Sequence, residues 1–247
     1  MSKLFAVTGT ADEIANHFEA EILPGLAAPS ETVEGKLGLI VIEHGGRRLL
    51  KSLPWGFPRR THETKLRGAA LGRIGLVADL TNPLWEATVA NTRYRCLIPL
   101  TRFANPDGNP GQRTRTWFSV KDEPLMAWAG FCRWTAEFGP VFAGMTMAAN
   151  ELVMPYNDRM PTLLARSQWE RWLHGSIRDV MAFQVRSPVP GELLEVIRTG
   201  DHWKCGGTPE TGMAPLLPPF SPTNFMMGCP SGITSPSAPV APAQSTS

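Results

Sequence analysis

The sequence predicts an α+β fold organised around an antiparallel sheet. Three observations carry this reading. Strand-like runs follow one another across turns too short for a crossover helix. Helical periodicity is confined to a few short stretches. No strand–helix alternation of the doubly wound kind and no internal repeat is present.

The elements are justified in chain order. Thr10 and Glu13 have the spacing of a capping box, with Ile14, Phe18 and Ile22 as the apolar stripe and Pro24 as the stop. Two strand-like runs follow, residues 37–43 and 47–53, joined by the turn His44-Gly45-Gly46. Residues 54–75 are rich in Arg, Gly and Pro, have no clean period, and read as a surface loop. Further strands are expected over 94–99, 115–120, 125–134 and 140–148, with Lys121-Asp122-Glu123-Pro124 as one of the turns. A second helix follows, with Ser167 and Glu170 as its capping box, Trp169, Trp172 and Leu173 buried, and Gly175 as the terminating glycine. A short helix over 176–183 and a strand over 192–198 complete the domain, expected to span 1–204. From Cys205 to the end Pro, Ser, Gly and Ala dominate, and residues 205–247 are expected to form a disordered tail.

Composition narrows the function classes. With 247 residues, 43% hydrophobic and 19% charged, the chain can bury a sizeable core. No apolar run is long enough to span a bilayer, and residues 1–10 lack the order of a signal peptide. A monomeric cytoplasmic protein is expected, nucleoid-associated if bacterial. The formal charge of +2 neither demands nor excludes nucleic acid. The charge is unevenly spread, however. Arg47, Arg48, Lys51, Arg59, Arg60, Lys65, Arg67 and Arg73 stand against one acidic residue, Glu63. None of Cys96, Cys132, Cys205 and Cys229 has metal-ligand spacing, so no metal site and no cofactor are expected; Cys96 and Cys132 read as core thiols.

Five blocks carry a family resemblance. They are Leu53-Pro54-Trp55-Gly56-Phe57-Pro58; Arg95-Cys96-Leu97-Ile98-Pro99 with Phe103; Trp128-Ala129-Gly130-Phe131; Thr146 to Asn150; and Asp158-Arg159-Met160-Pro161 followed by Leu163-Leu164. In this order they resemble the SOS-response-associated peptidase, or abasic-site processing, family over roughly residues 1–185. The resemblance implies a barrel-like β core with peripheral helices and a basic groove for single-stranded DNA, with abasic-site DNA as a further partner. It also implies a pocket in which an N-terminal Cys closes a thiazolidine on an abasic-site aldehyde, assisted by Asn, Glu and His.

Position by position, the chain departs from that pocket. Ser2 stands where the family has Cys, Asn105 where it has Glu, and Asn157 where it has His; the family's Asn-x-Arg falls on Leu76-Val77-Ala78. A hydroxyl lacks the accessible thiolate that attacks an imine. An amide does not titrate usefully and so cannot act as general acid or base. The expected protein is therefore a degenerate member that binds DNA without a stable crosslink. A transient imine through the Ser2 α-amine, whose pKa is about 7.7–8.0 once Met1 is removed, is one alternative. A protein-interaction module without a DNA role is another. Trp55 has two readings, a base-stacking ring or a cap on the core. Arg59, Arg60, Arg67, Arg73 and Arg159 are the candidate phosphate contacts, with a structural bridge to Asp158 as the other reading of Arg159.

Overall fold

The computed structural model describes residues 3–59 and 70–203. The chain begins with β1 (Leu4–Ala6), α1 (Ala11–Phe18), β2 (Ala20–Ile22), β3 (Glu31–Val33), β4 (Leu37–His44) and β5 (Arg47–Pro54). Next come β6 (Phe57–Arg59), β7 (Gly72–Ile74), β8 (Leu76–Val77), α2 (Glu86–Val89), β9 (Arg95–Leu100), β10 (Arg102–Asp107) and β11 (Thr114–Val120). The remainder is β12 (Met126–Thr135), β13 (Gly139–Ala148), β14 (Arg159–Pro161), β15 (Leu163–Leu164), α3 (Trp169–His174), α4 (Ile177–Val185) and β16 (Leu194–His202).

Two sheets form the body of this α+β fold. One runs β16-β11-β10-β1-β3 and the other β14-β13-β12-β9-β4-β5-β2, with β15 on β12 and β8 on β13. The larger sheet curls without closing. Trp55, just past β5, bridges Phe142 on β13, and the Gly56 N–H donates to the Phe142 carbonyl at 2.8 Å. Helices cover one face of this sheet, where Phe18, Trp169, Trp172 and Phe183 meet Val41, Leu97 and Phe131. On the other face Phe5, Phe103 and Phe118 of the smaller sheet meet Ile40, Ile98, Trp128 and Phe142. Cys96 and Cys132 are buried there, and burial, with Cys132 as hydrogen-bonding neighbour, raises the Cys96 thiol.

Local chemistry explains most element boundaries and corrects four expectations. The Thr10–Glu13 capping box is present, Oγ1 accepting from Glu13 N and the carboxylate from Thr10 N. The helix stops at Phe18, however, because Glu19 turns left-handed at φ 54°. Ile22 thus falls on β2, which pairs in parallel with β5. The 37–53 hairpin is as expected, with Gly45 and Gly46 at φ 60° and 74° supplying a turn that twists with its strands. Ser167 does not cap α3; a 3-10 turn precedes it, and Gln168 Oε1 accepts from Ala165 N instead. Gly175 is not left-handed (φ −59°). It is required because a Cβ would overlap the Arg171 carbonyl oxygen. The expected loop over 54–75 contains the antiparallel pair β6–β7, and the 205–247 tail lies outside the described residues. Among the described residues no helix is long and apolar enough to cross a membrane.

Candidate functional site

The smaller sheet brings remote segments into one polar row. β1 lies between β10 and β3. Its register, Phe5 opposite Phe103, continues to place Asn105 across from Lys3. Asn105 is then opposite Thr116, and Thr116 opposite Arg198. On the other side Leu4 pairs with Val33, so Glu34 follows directly, and Lys3 Nζ lies 2.5 Å from Glu34 Oε2. Strand alternation puts such registered neighbours on one face. Because this is the face of Phe5 and Phe103, the row continues the interface between the sheets towards solvent.

Hydrogen bonds tie the row to its surroundings. Glu34 Oε1 accepts from Gly75 N at 2.7 Å, while the Trp55 indole N–H donates to the Gly75 carbonyl at 2.7 Å. The residue next to Leu76 is therefore held from two sides. At the far end Arg198 Nε donates to the Tyr156 hydroxyl at 2.9 Å, next to Asn157. Thr116 Oγ1 lies 3.3 Å from Asp107 Oδ2.

The site residues expected from sequence have varied placements. Ser2, Arg60 and Arg67 lie outside the described residues. Asn105 is wholly buried on β10. Asn157 is half-buried, and its Oδ1 accepts from Arg159 N at 3.2 Å. Leu76 is half-buried against the core between the sheets. Trp55 is 0% exposed, with its ring centroid 5.1 Å from Phe5 and 5.9 Å from Trp128. This corrects the base-stacking reading: with both faces covered by protein, the ring caps the core.

The arginines divide by what already holds them. Arg59 is exposed at the end of β6. Arg73 is half-buried, donates to the Gly56 carbonyl and lies 4.0 Å from the centre of the Phe138 ring. Arg159 donates from Nε to Thr146 Oγ1 at 2.8 Å, and from Nη2 to the carbonyls of Ala78 at 2.8 Å and Thr146 at 2.5 Å. Burial lowers the pKa of its guanidinium. Those bonds join the 158–161 block to the 76–78 segment, two stretches the sequence treats as separate parts of one pocket.

Glu34, Lys3, Tyr156 and Arg198 were missed by sequence reasoning. They come together only through the β3-β1-β10-β11-β16 pairing, and β1, β3 and β10 are too short or too polar to announce themselves. The row offers hydrogen-bond donors and acceptors and a carboxylate balanced by an amine. Among the described residues it contains no thiol and no imidazole. A group with metal-ligand spacing lies elsewhere, at Glu43, Glu170 and His174.

A sequence model of the SOS response associated peptidase (SRAP) family matches residues 1–201. No curated protein matches significantly. The fold is similar to that of a Bordetella bronchiseptica protein (19% identity, 80% of this chain and 99% of that one, TM-score 0.66). It is also similar to a Bacteroides thetaiotaomicron protein (17%, 79% and 91%, TM-score 0.61). A phage-related protein of Bordetella bronchiseptica is a third (15%, 80% and 93%, TM-score 0.59).

Proposed function

The chain belongs to the SOS response associated peptidase (SRAP) family, and from that premise we propose that it binds single-stranded and abasic-site DNA without forming a stable thiazolidine crosslink. Family membership supports a DNA-damage-associated role in general. The observation that carries the finer reading is Asn105. It sits wholly buried in the polar row, across the register from the N-terminal segment, where the resemblance puts a glutamate. An amide there can orient a ligand but cannot pass a proton. Ser2 in place of Cys removes the thiol that would close the ring.

In this reading residues 1–204 are the binding unit, acting as a monomer in the cytoplasm, and the 205–247 tail is dispensable for DNA. The test is binding of the full chain and of a 1–204 truncation to single-stranded oligonucleotides, with and without an abasic site, at two salt concentrations. Salt-sensitive binding by both forms is expected, with no heat-stable band on a denaturing gel. Such a band, formed without reductant, would sink the non-covalent reading. Binding to neither oligonucleotide at low salt by a folded protein would leave a protein-interaction role instead.

A further inference from the structure

We propose that Glu43, Glu170 and His174 form a zinc(II) site that fastens α3 to the C-terminal end of β4, apart from the polar row. Glu43 is the penultimate residue of β4. Glu170 and His174 stand four apart on α3, so both project from one side of the helix, one turn apart.

Their ligand atoms converge. His174 Nε2 is 3.0 Å from Glu43 Oε1 and 3.6 Å from Glu170 Oε2, and all three atoms lie within 4.8 Å of one another. Tetrahedral ligands held at about 2.0–2.1 Å from zinc are roughly 3.3–3.4 Å apart, so the two shorter separations bracket the required one. A metal ion would replace direct His–carboxylate contacts with small side-chain movements only.

The surroundings prepare the Glu170 carboxylate for this role. Arg48 Nη2 holds Glu170 through Oε1 at 3.2 Å, leaving Oε2 towards the imidazole. Arg48 is fixed in turn by Glu19 Oε2 at 3.1 Å and lies 5.6 Å from the Trp169 ring centre. An outer partner that orients a ligating carboxylate is a regular part of metal sites.

The donor chemistry selects the ion. One imidazole nitrogen with two carboxylate oxygens suits zinc, whereas magnesium and calcium favour all-oxygen shells. With the His174 and Glu170 side chains 50% and 72% exposed, a fourth ligand can be water. The expectation of no metal from sequence rested on cysteine spacing, and this set uses no cysteine.

The experiment uses the full chain stripped with chelator, titrated with zinc chloride by calorimetry and followed by thermal unfolding. One equivalent bound and a raised unfolding midpoint are expected, with magnesium chloride inert. Cobalt(II) should give the visible absorption of a tetrahedral site. His174→Ala and Glu170→Gln, each checked for folding by circular dichroism, should weaken zinc binding about tenfold or more. Glu170 is exposed enough that its variant tests the site even if His174→Ala misfolds. No binding at micromolar zinc overturns the proposal. So does binding of equal strength in both variants, which would place the metal on Cys205, Cys229 or His202.

Discussion

The Arg159 guanidinium directs Nε at the Thr146 hydroxyl and Nη2 at the carbonyls of Thr146 and Ala78. A phosphate at Nε or Nη2 would have to displace those partners. Arg159→Met should therefore cost stability, about 1–3 kcal/mol by urea unfolding, while leaving the salt dependence of DNA binding unchanged. The cost is moderated because Gln184 Nε2 also donates to both carbonyls. A variant that loses DNA affinity at full stability would return Arg159 to the phosphate contacts. Trp55 is the same kind of case. Its truncation to Ala removes a ring wholly inside the core and a buried hydrogen bond, so a loss of about 3–5 kcal/mol in stability is expected rather than a selective loss of base stacking. For the chemistry itself, Ser2→Cys alone should crosslink abasic oligonucleotides weakly. Adding Asn105→Glu and Asn157→His should raise the rate more than additively, because neighbouring catalytic groups couple. Full family-like crosslinking by the single variant, scored on denaturing gels, would show that the missing proton-transfer groups do not matter.

Helices and hairpins of this chain are legible in sequence where their stop and start signals are local. The Thr10–Glu13 box and the Gly45–Gly46 turn are in the structure as the residues suggest. The Ser167 box failed because Gln168 offers a longer side chain to the same backbone corner and Ala165 begins the turn. Ser176 and Asp179 supply the stronger cap, one helix later. The Asp179 carboxylate accepts from the Ser176 hydroxyl and backbone N–H and from Arg171, which together lower its pKa to about 2. The sign follows from the depression. Its contribution to stability is fully present above the unfolded value of about 3.9 and fades as pH falls through about 2. The unfolding midpoint of Asp179→Asn should thus lie below wild type at pH 5 and converge with it towards pH 2. A constant offset across that range would mean that packing, not the carboxylate charge, makes the difference.

At the scale of the molecule, the polar row exists only because β1, β3, β10, β11 and β16 are drawn from both ends of the chain into one sheet. That pairing is set by long-range burial, Phe5 and Phe103 against Trp128 and Phe142, which no local period encodes. Asn105 and Asn157 are singled out from the sequence by alignment to the family blocks, whereas Glu34, Tyr156 and Arg198 carry no such signal. Charge raises the complementary question of what a DNA strand would meet. Of the five candidate arginines, Arg159 is tied to backbone and Arg73 lies over Phe138, whereas Arg59 is exposed at the end of β6. Lys3, Lys36 and Arg198 add exposed basic groups near the row. If these side chains meet phosphates, affinity for single-stranded DNA should fall linearly in log–log form with salt, at about −0.7 per contact. Arg59→Glu should make that slope shallower by roughly one contact and weaken all sequences alike, because a phosphate contact carries no base information. The fold should tolerate the change, since Arg59 sits at the exposed end of its strand. The measurement is a fluorescence-anisotropy titration of the wild type and the variant at several salt concentrations. An unchanged slope in Arg59→Glu would move the DNA path away from the β6–β7 pair, towards the Lys3 and Arg198 ends of the row.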